Sequence, residues 1–565
     1  MQTDTQEHRG AHGVLCEARP VRHYRRPVQR RLTAGERERV TLLFGGLTVR
    51  HDRLIQAGEE ALGYRVGRVP TPTKADFQTG KENCDYGMCN PVYFTAGALV
   101  NHLRRLRDEE GLSAEQIVND YAFVTAGSCG PCRFGAYASQ YRLALRNSGF
   151  EGFRVITFQQ RESLNQSGEE PGLSFDAAFF IALLNGLLMG DVLNELANQI
   201  RPYEVHPGET DRVFGEVMAR LERRMRDRGA EAPTDRWWTP LAAHLAKAKP
   251  ADTARFLDQF LGSAYIDTLK ECAELIEEGI EVDYTRAKPL CKVTGEFWAQ
   301  TTEGDGNFKM FSFLESQGAE ALVEPLTTWL SYLLNQTRTK VLDECGLGAN
   351  GNGNGSGALK RFRARVACRK RWAWFGTVQW LLHREYNRIR QALGGTAHPL
   401  VDQHLLQRLG HRYYNRRCGG GEGHLEVAKT IYYANHQLAH MILSLKPFGC
   451  MPSTQSDGAQ AAVLADHPDI LFLPVETSGE GDIDAYSRVL MALTEAKERC
   501  RDEFTACVSE SGYTVEQIRA YCRDHAELRR PLQEIPRHDG VVGRAANFVM
   551  HVAERMRRDA EGGAR

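Results

Sequence analysis

The sequence predicts an α/β protein whose strands form parallel sheets in two sections, with extra helical segments between and after them. Three observations carry this. Short β-branched or apolar runs empty into glycine-rich turns, and helical patterns then lead to the next run, the order a parallel sheet requires. That order occurs over residues 39–205 and returns, interrupted, over 285–495. Helical periodicity dominates the stretch from 174 to 280 between them.

Residues 1–38 are polar and carry Arg19, Arg22, Arg25, Arg26, Arg30 and Arg31, which reads as a basic arm. The first lobe, 39–205, opens with the strand 39–44, the turn Gly45-Gly46, a helical stretch over 54–62 and the strand 64–69. A loop from Gly80 to Pro91 holds Cys84 and Cys89, with Asn90 as a helix cap and Pro91 at the first helical position. The helix then runs to about Arg107, with Val92, Phe94, Leu99, Leu103 and Leu106 as its apolar side. The strand 121–125 empties into Ala126-Gly-Ser-Cys129-Gly-Pro-Cys132-Arg-Phe-Gly135, a helix follows, and 153–158 is the next strand.

Residues 206–284 read as a helical insertion. The second lobe begins over 285–345, with the strand 289–294, the polar loop Gly295 to Asn307, a helix carrying Phe308, Phe311 and Leu314, and the strand 321–324. Residues 346–358 are rich in glycine and asparagine and are expected to be a flexible loop. A basic helical segment fills 359–420. The lobe resumes over 421–495 with a helix from Glu422 to about His440, the strand 441–446, the loop Pro447 to Thr454 with Cys450, and the strand 470–474. The region 496–565 is helical and charged.

The bulk composition narrows the function classes. The chain of 565 residues is 42% hydrophobic and 25% charged, the balance of a globular protein, and its net charge of −1 does not suit a coat for nucleic acid or an anionic membrane. The longest apolar stretch, Ala177 to Met189, is interrupted by Asn185 and falls short of the roughly 18–20 residues of a membrane span. The N-terminus lacks the order of a signal peptide, so a cytoplasmic location is expected. In a reducing compartment, the clustered members of the 14 cysteines point to metal or redox work rather than to bridges. Cys272, Cys345, Cys368, Cys500, Cys507 and Cys522 lie singly and read as small buried hydrophobes.

The chemistry gathers at strand ends, where open parallel sheets bind ligands. Cys129, Cys132 and Cys450 occupy such ends and Cys89 lies at a neighbouring helix start, so four thiols from two lobes can meet in the cleft between them. A helix start also favours negative charge, which suits thiolates. Three readings follow. A zinc site needs two close pairs as a rule, and the sequence has one. A thioredoxin-like dithiol at Cys129 and Cys132 has the right string, but Ser128 stands where that family has tryptophan. An iron–sulfur cluster on Cys89, Cys129, Cys132 and Cys450, with Cys84 as an extra candidate, is the leading reading.

Other residues carry weaker signals. Glu296, Glu303, Asp305 and Glu476 sit on strand-end loops and read as loop or cap residues, with acid–base groups or magnesium contacts as the alternative. His424, His436 and His440 lack the glutamate of a zinc-protease motif and read as core or surface histidines. The segment Lys360 to Trp374 mixes basic and aromatic residues and reads as a solvated or partner-docking helix, with a nucleic-acid face as the alternative.

Several long strings resemble the family of 2-hydroxyacyl-CoA dehydratases and their activase-related proteins: Gly45-Gly-Leu-Thr48, Cys89-Asn-Pro-Val-Tyr-Phe94, the 126–135 string, Val293 to Asn307, Gly421-Glu-Gly423 and Lys446 to Asp457. The likeness covers roughly 40–205 and 285–495 and is to the dehydratase-like portion, without the ATPase domains. It implies two flavodoxin-like, doubly wound lobes. It also implies a 4Fe–4S or double-cubane cluster on Cys89, Cys129, Cys132 and Cys450, Cys84 being less firmly matched. The implied partner is a homodimeric, ATP-hydrolysing iron–sulfur activase that delivers low-potential electrons. The implied reaction is a lyase step, radical dehydration of a CoA thioester, or a related reduction, and a dimeric chain is compatible with it. The alternatives are an electron-relay or accessory subunit and a dithiol redox protein.

Overall fold

The computed structural model describes residues 32–127, 132–158, 177–230, 239–246, 250–350 and 358–562. Most of the basic arm, Cys129 and residues 351–357 of the Gly/Asn-rich segment lie outside the described residues.

Among the described residues, eight strands form two four-stranded sheets, and every strand pairing is parallel. In the first lobe β1 (Thr41–Phe44), β2 (Arg65–Arg68), β3 (Tyr121–Ala126) and β4 (Arg154–Phe158) run in the order β2-β1-β3-β4, with Leu42 opposite both Val66 and Ala122. Parallel neighbours need crossovers, and helices supply them: α1 (Val49–Glu60), α2 (Lys74–Asn83), α3 (Asn90–Asp108), α4 (Ala114–Asp120) and α5 (Tyr137–Asn147). Their starts are written in the sequence. Thr48 caps α1, and Thr73 with Asp76 and Ser113 with Gln116 form capping boxes on α2 and α4. Leu43, Phe94, Leu99, Phe123, Phe150 and Val155 fill the core beneath.

A helical block follows: α6 (Ala177–Ile200), α7 (Glu209–Ala230), α8 (Thr239–Ala246), α9 (Pro250–Leu261) and α10 (Ala264–Gly279). Helix α6 is the one described element long and apolar enough to cross a membrane. Leu188, Met189, Val192, Leu193, Leu196 and Ala197 are fully buried in the largest core cluster, so it acts here as a core helix. Asn185, which interrupts its apolar run, exchanges two amide hydrogen bonds with Gln259 of α9, at 3.0 and 2.8 Å.

The second lobe repeats the first arrangement. Its strands β5 (Leu290–Gly295), β6 (Glu320–Val323), β7 (Met441–Pro447) and β8 (Phe472–Thr477) run in the order β6-β5-β7-β8. Both central strands are buried at every residue, as in a sheet covered on both faces. The helices are α11 (Met310–Ser316), α12 (Leu326–Asn350), α13 (Ala358–Ala392), α14 (Gln403–Gly410), α15 (Gly423–Asn435), α16 (Met451–Asp466), α17 (Asp482–Ser511), α18 (Val515–Asp524) and α19 (Arg544–Gly562). The two sheets are thus an α/β pair of flavodoxin-like lobes.

Several boundaries differ from the sequence reading. Helix α1 starts at Val49 rather than near Leu54, and α11 starts at Met310, so that Phe308, with φ 60°, precedes it. Helix α12 runs on through Asn350, so helix occupies the first residues of the expected glycine-rich loop. Helix α15 stops at Asn435, where Gln437 takes a positive φ of 47° and turns the chain into β7. The last strand begins at Phe472 and includes Glu476, which is therefore a strand residue rather than a loop residue. Pro474 is tolerated within it because β8 is an edge strand.

Candidate functional site

In each sheet the chain winds outward in both directions from the central pair, β1 with β3 and β5 with β7. Loops leaving the carboxyl ends of such a pair diverge, and the crevice between them is where doubly wound folds hold ligands. Three of the predicted cysteines stand there, each at the N-cap of a helical segment. Cys89 precedes α3, Cys132 precedes the 3-10 turn Arg133–Ala136 that leads into α5, and Cys450 precedes α16. None makes a side-chain capping hydrogen bond, and proline stands in the first turn of α3 and of α16. A position that usually holds Ser, Thr, Asn or Asp thus holds sulfur, which leaves helix-start N–H groups to face whatever the sulfur binds.

The cap is Cys89, not Asn90 as the sequence suggested. Asn90 is the first helical residue, and its groups serve a different purpose. Its backbone N–H donates to the Phe448 carbonyl at 3.1 Å, and its side-chain amide donates to the Thr477 carbonyl at 2.9 Å. The start of α3 is therefore fastened to the ends of β7 and β8 in the other lobe. Gly449, between Phe448 and Cys450, has φ +77°, and a Cβ there would lie 3.1 Å from the Met88 carbonyl oxygen and 3.4 Å from the Cys89 Cα. Glycine is needed both for the turn and for the close approach.

The thiols share one electrostatic environment. Burial pushes Cys89 up to about 11, against a hydrogen bond from Tyr137, and the charge of Glu296 adds to the rise. Burial pushes Cys132 up to about 12, and Glu422, Glu296 and Cys89 all raise it further. Burial also raises Cys450, with Glu296 and Glu422 again contributing. Thiols in this state are protonated and poorly nucleophilic. A bound cation would convert them to thiolates.

Two carboxyls close the site. Glu296, just after β5, accepts from the Ala299 N–H at 2.9 Å, and Glu422, just before α15, accepts from the Phe297 N–H at 2.9 Å. Burial raises both, and the two lie close enough that the charge of Glu422 raises Glu296. A crevice beside them is lined by Phe297, Trp329, Glu422, Glu426 and Lys429, and it is narrow.

The remaining candidates have structural posts. Cys84 is buried with its sulfur 4.0 Å from the Gln140 carbonyl, and burial and Asp85 alone shape its environment. Glu303 accepts from the Val49 N–H at 2.8 Å and Asp305 from the Lys74 N–H at 2.9 Å. Both carboxylates thus cap first-lobe helices from the second lobe, where a negative charge is favoured. Glu476 is exposed in β8. His424 packs against Tyr332 and Tyr414, His436 against Tyr432, and His440 accepts from the Leu290 N–H. Among the described residues no three His, Cys, Asp or Glu side chains close around a single metal ion.

Sequence reasoning missed Tyr137, whose hydroxyl lies 3.0 Å from the Cys89 sulfur. It also missed Glu422 as a partner of Glu296, and it treated Cys345 and Cys368 as separate. Those two come together across α12 and α13, with Cα atoms 6.3 Å apart. Glu422 had a signal in the Gly421-Glu-Gly423 string, whereas nothing in the spacing of the other three residues marks their contacts. Comparisons with protein families, curated proteins and solved structures found no match to the chain.

Proposed function

We propose that this chain is an iron–sulfur protein of the type found among 2-hydroxyacyl-CoA dehydratase components. In this reading it is a cytoplasmic protein that accepts low-potential electrons from a homodimeric, ATP-hydrolysing activase and serves the dehydration or reduction of a CoA-linked substrate. The observation that supports it most is the fastening of Cys89 against the Phe448–Cys450 loop, which holds thiols of two lobes at one crevice.

The donor set suits such a group. Cys89, Cys132 and Cys450 would hold it, with Cys129 of the Cys129-Gly-Pro-Cys132 string as the fourth ligand. All-thiolate coordination is the ordinary mode of iron–sulfur binding. A cluster spreads its ligands over several metal atoms, which suits thiols contributed by separate loops. When bound, the cluster supplies one-electron redox chemistry. The chain's own residues do the rest. The starts of α3 and α16 direct positive dipole ends toward Cys89 and Cys450, both of which are buried. Glu296, which burial and the neighbouring Glu422 charge raise to about 8, would hold a proton beside the thiols, an acid within the crevice for a departing hydroxyl group.

A second reading is an electron relay or accessory subunit. Among the described residues the crevice beside Glu422 is narrow, and a relay needs no room for a CoA thioester.

The test is iron and acid-labile sulfide per chain after strictly anaerobic purification, with an electron paramagnetic resonance spectrum of the reduced protein. About four irons with matching sulfide, lost on Cys129→Ala, supports a single cluster, and about eight supports the double-cubane branch. Zinc, or a free dithiol without iron, overturns the reading.

A further inference from the structure

Cys89 caps α3 and Tyr137 is the first residue of α5, the helix that follows the Cys132 turn. The Tyr137 hydroxyl lies 3.0 Å from the Cys89 sulfur, and both residues are only 6% exposed. This one contact therefore joins the two first-lobe helices whose starts carry thiols. The ring is held in place. Phe134 meets it edge-on at 5.0 Å and Tyr141 at 6.4 Å, while the Tyr141 hydroxyl is itself tied to Thr95 at 2.8 Å. A donor fixed in this way does not need to reorganise when charge changes beside it.

The direction of the hydrogen bond follows from chemistry. A protonated thiol can give or take the proton, but a metal-bound thiolate has none to give, and a phenol remains a donor at neutral pH. With metal on Cys89, Tyr137 must donate. Such a bond draws charge from the sulfur and favours the more negative oxidation state, which raises the reduction potential of the group held there.

We propose that Tyr137 is a positioning residue that tunes the redox group: its hydroxyl donates to the Cys89 sulfur and raises the potential at which the site accepts an electron. The inference rests on the iron–sulfur reading above. The electron comes from the activase-class reductant, and no bond is made or broken at Tyr137.

The experiment is a redox titration of the anaerobically purified full chain, followed by electron paramagnetic resonance, with iron counted in the same samples. Tyr137→Phe keeps the ring and its packing and removes only the donor. The expected result is unchanged iron and a reduction equilibrium constant lowered about tenfold, which for a one-electron couple is about 59 mV. Tyr141→Phe, a neighbouring hydroxyl that bonds Thr95, leaves the potential where it was. Should Tyr137→Phe lose its iron, 3,5-difluorotyrosine placed at 137 keeps the shape with a stronger donor, and the potential should rise. Iron present with a potential that moves in neither variant overturns this inference and leaves the iron–sulfur reading standing. A wild-type chain without iron removes both.

Discussion

The backbone N–H of Asn90 donates to the carbonyl of Phe448 across 3.1 Å, so the first turn of α3 completes its hydrogen bonding in the opposite lobe. A helix start has N–H groups with no partner in the helix, and this one spends a donor on the strand end that leads to Cys450. The relation fixes how far apart Cys89 and Cys450 stand. Asn90→Ala removes the second tie, the side-chain amide on Thr477, and leaves that carbonyl short of a partner. We expect a stability loss of about 1–2 kcal/mol in urea unfolding, with a larger fractional loss of bound iron. A variant as stable and as iron-rich as wild type would show that the seam does not set the thiol spacing.

The cysteines divide into two groups by environment. Cys89, Cys132 and Cys450 each feel Glu296, whereas Cys84 feels burial and Asp85. Replacing any of the first three by serine should remove most of the iron, while Cys84→Ala should keep it at the wild-type ratio. Iron analysis of the four purified variants decides the point. Loss of iron in Cys84→Ala alone would move the site deeper into the first lobe.

The wall of the crevice holds an ionic group that the hydrophobic pattern of β5 conceals. Lys292, in the middle of that strand, is 1% exposed and places its ammonium 2.6 Å from Glu324, and Lys429 of α15 stands 3.5 Å from the same carboxylate. Burial alone would raise Glu324, but the two ammoniums override it and hold the carboxyl at about 2. Burial prevails at Lys429, the more distant cation, and pushes it down to about 8. Glu324→Gln leaves two buried cations without their anion and should cost about 3–5 kcal/mol. Unfolding midpoints in urea measure this, and a change under about 1 kcal/mol would show that the cations relax to water instead.

The strands were readable because each ends in a turn residue and is short and apolar, and all eight lie within a few residues of where the pattern puts them. Parallel pairing followed from the helices between them. The site was readable only in part. Cysteine is conspicuous, so its strand-end placement stood out. Tyr137 and Glu422 meet their partners through the tertiary fold, and a tyrosine in an amphipathic helix reads as packing. Asn90 misled by one residue because asparagine before proline is a common cap. The amide was instead spent across the lobes, a contact that no local pattern encodes. Pro474 shortened the expected last strand for a similar reason, since only the sheet order shows that its strand is at an edge.

His424 gives the protein a pH dependence whose sign can be worked out. The ring is 3% exposed, and burial first, then the positive charge of His411 and Arg416, push its pKa from 6.5 down to about 4. In the unfolded chain the imidazole takes a proton near 6.5, while in the folded protein it stays neutral until about 4. Between those values the unfolded state binds more protons, so stability falls as pH falls through that window and levels off below it. At 1.36 kcal/mol per unit the contribution is at most about 3 kcal/mol. His424→Gln keeps a polar side chain of similar reach but does not titrate. Urea unfolding at pH 7 and pH 4.5 should therefore show wild type losing more stability than the variant on acidification. Parallel losses in the two proteins would mean that the buried ring gains its proton as easily as the unfolded one.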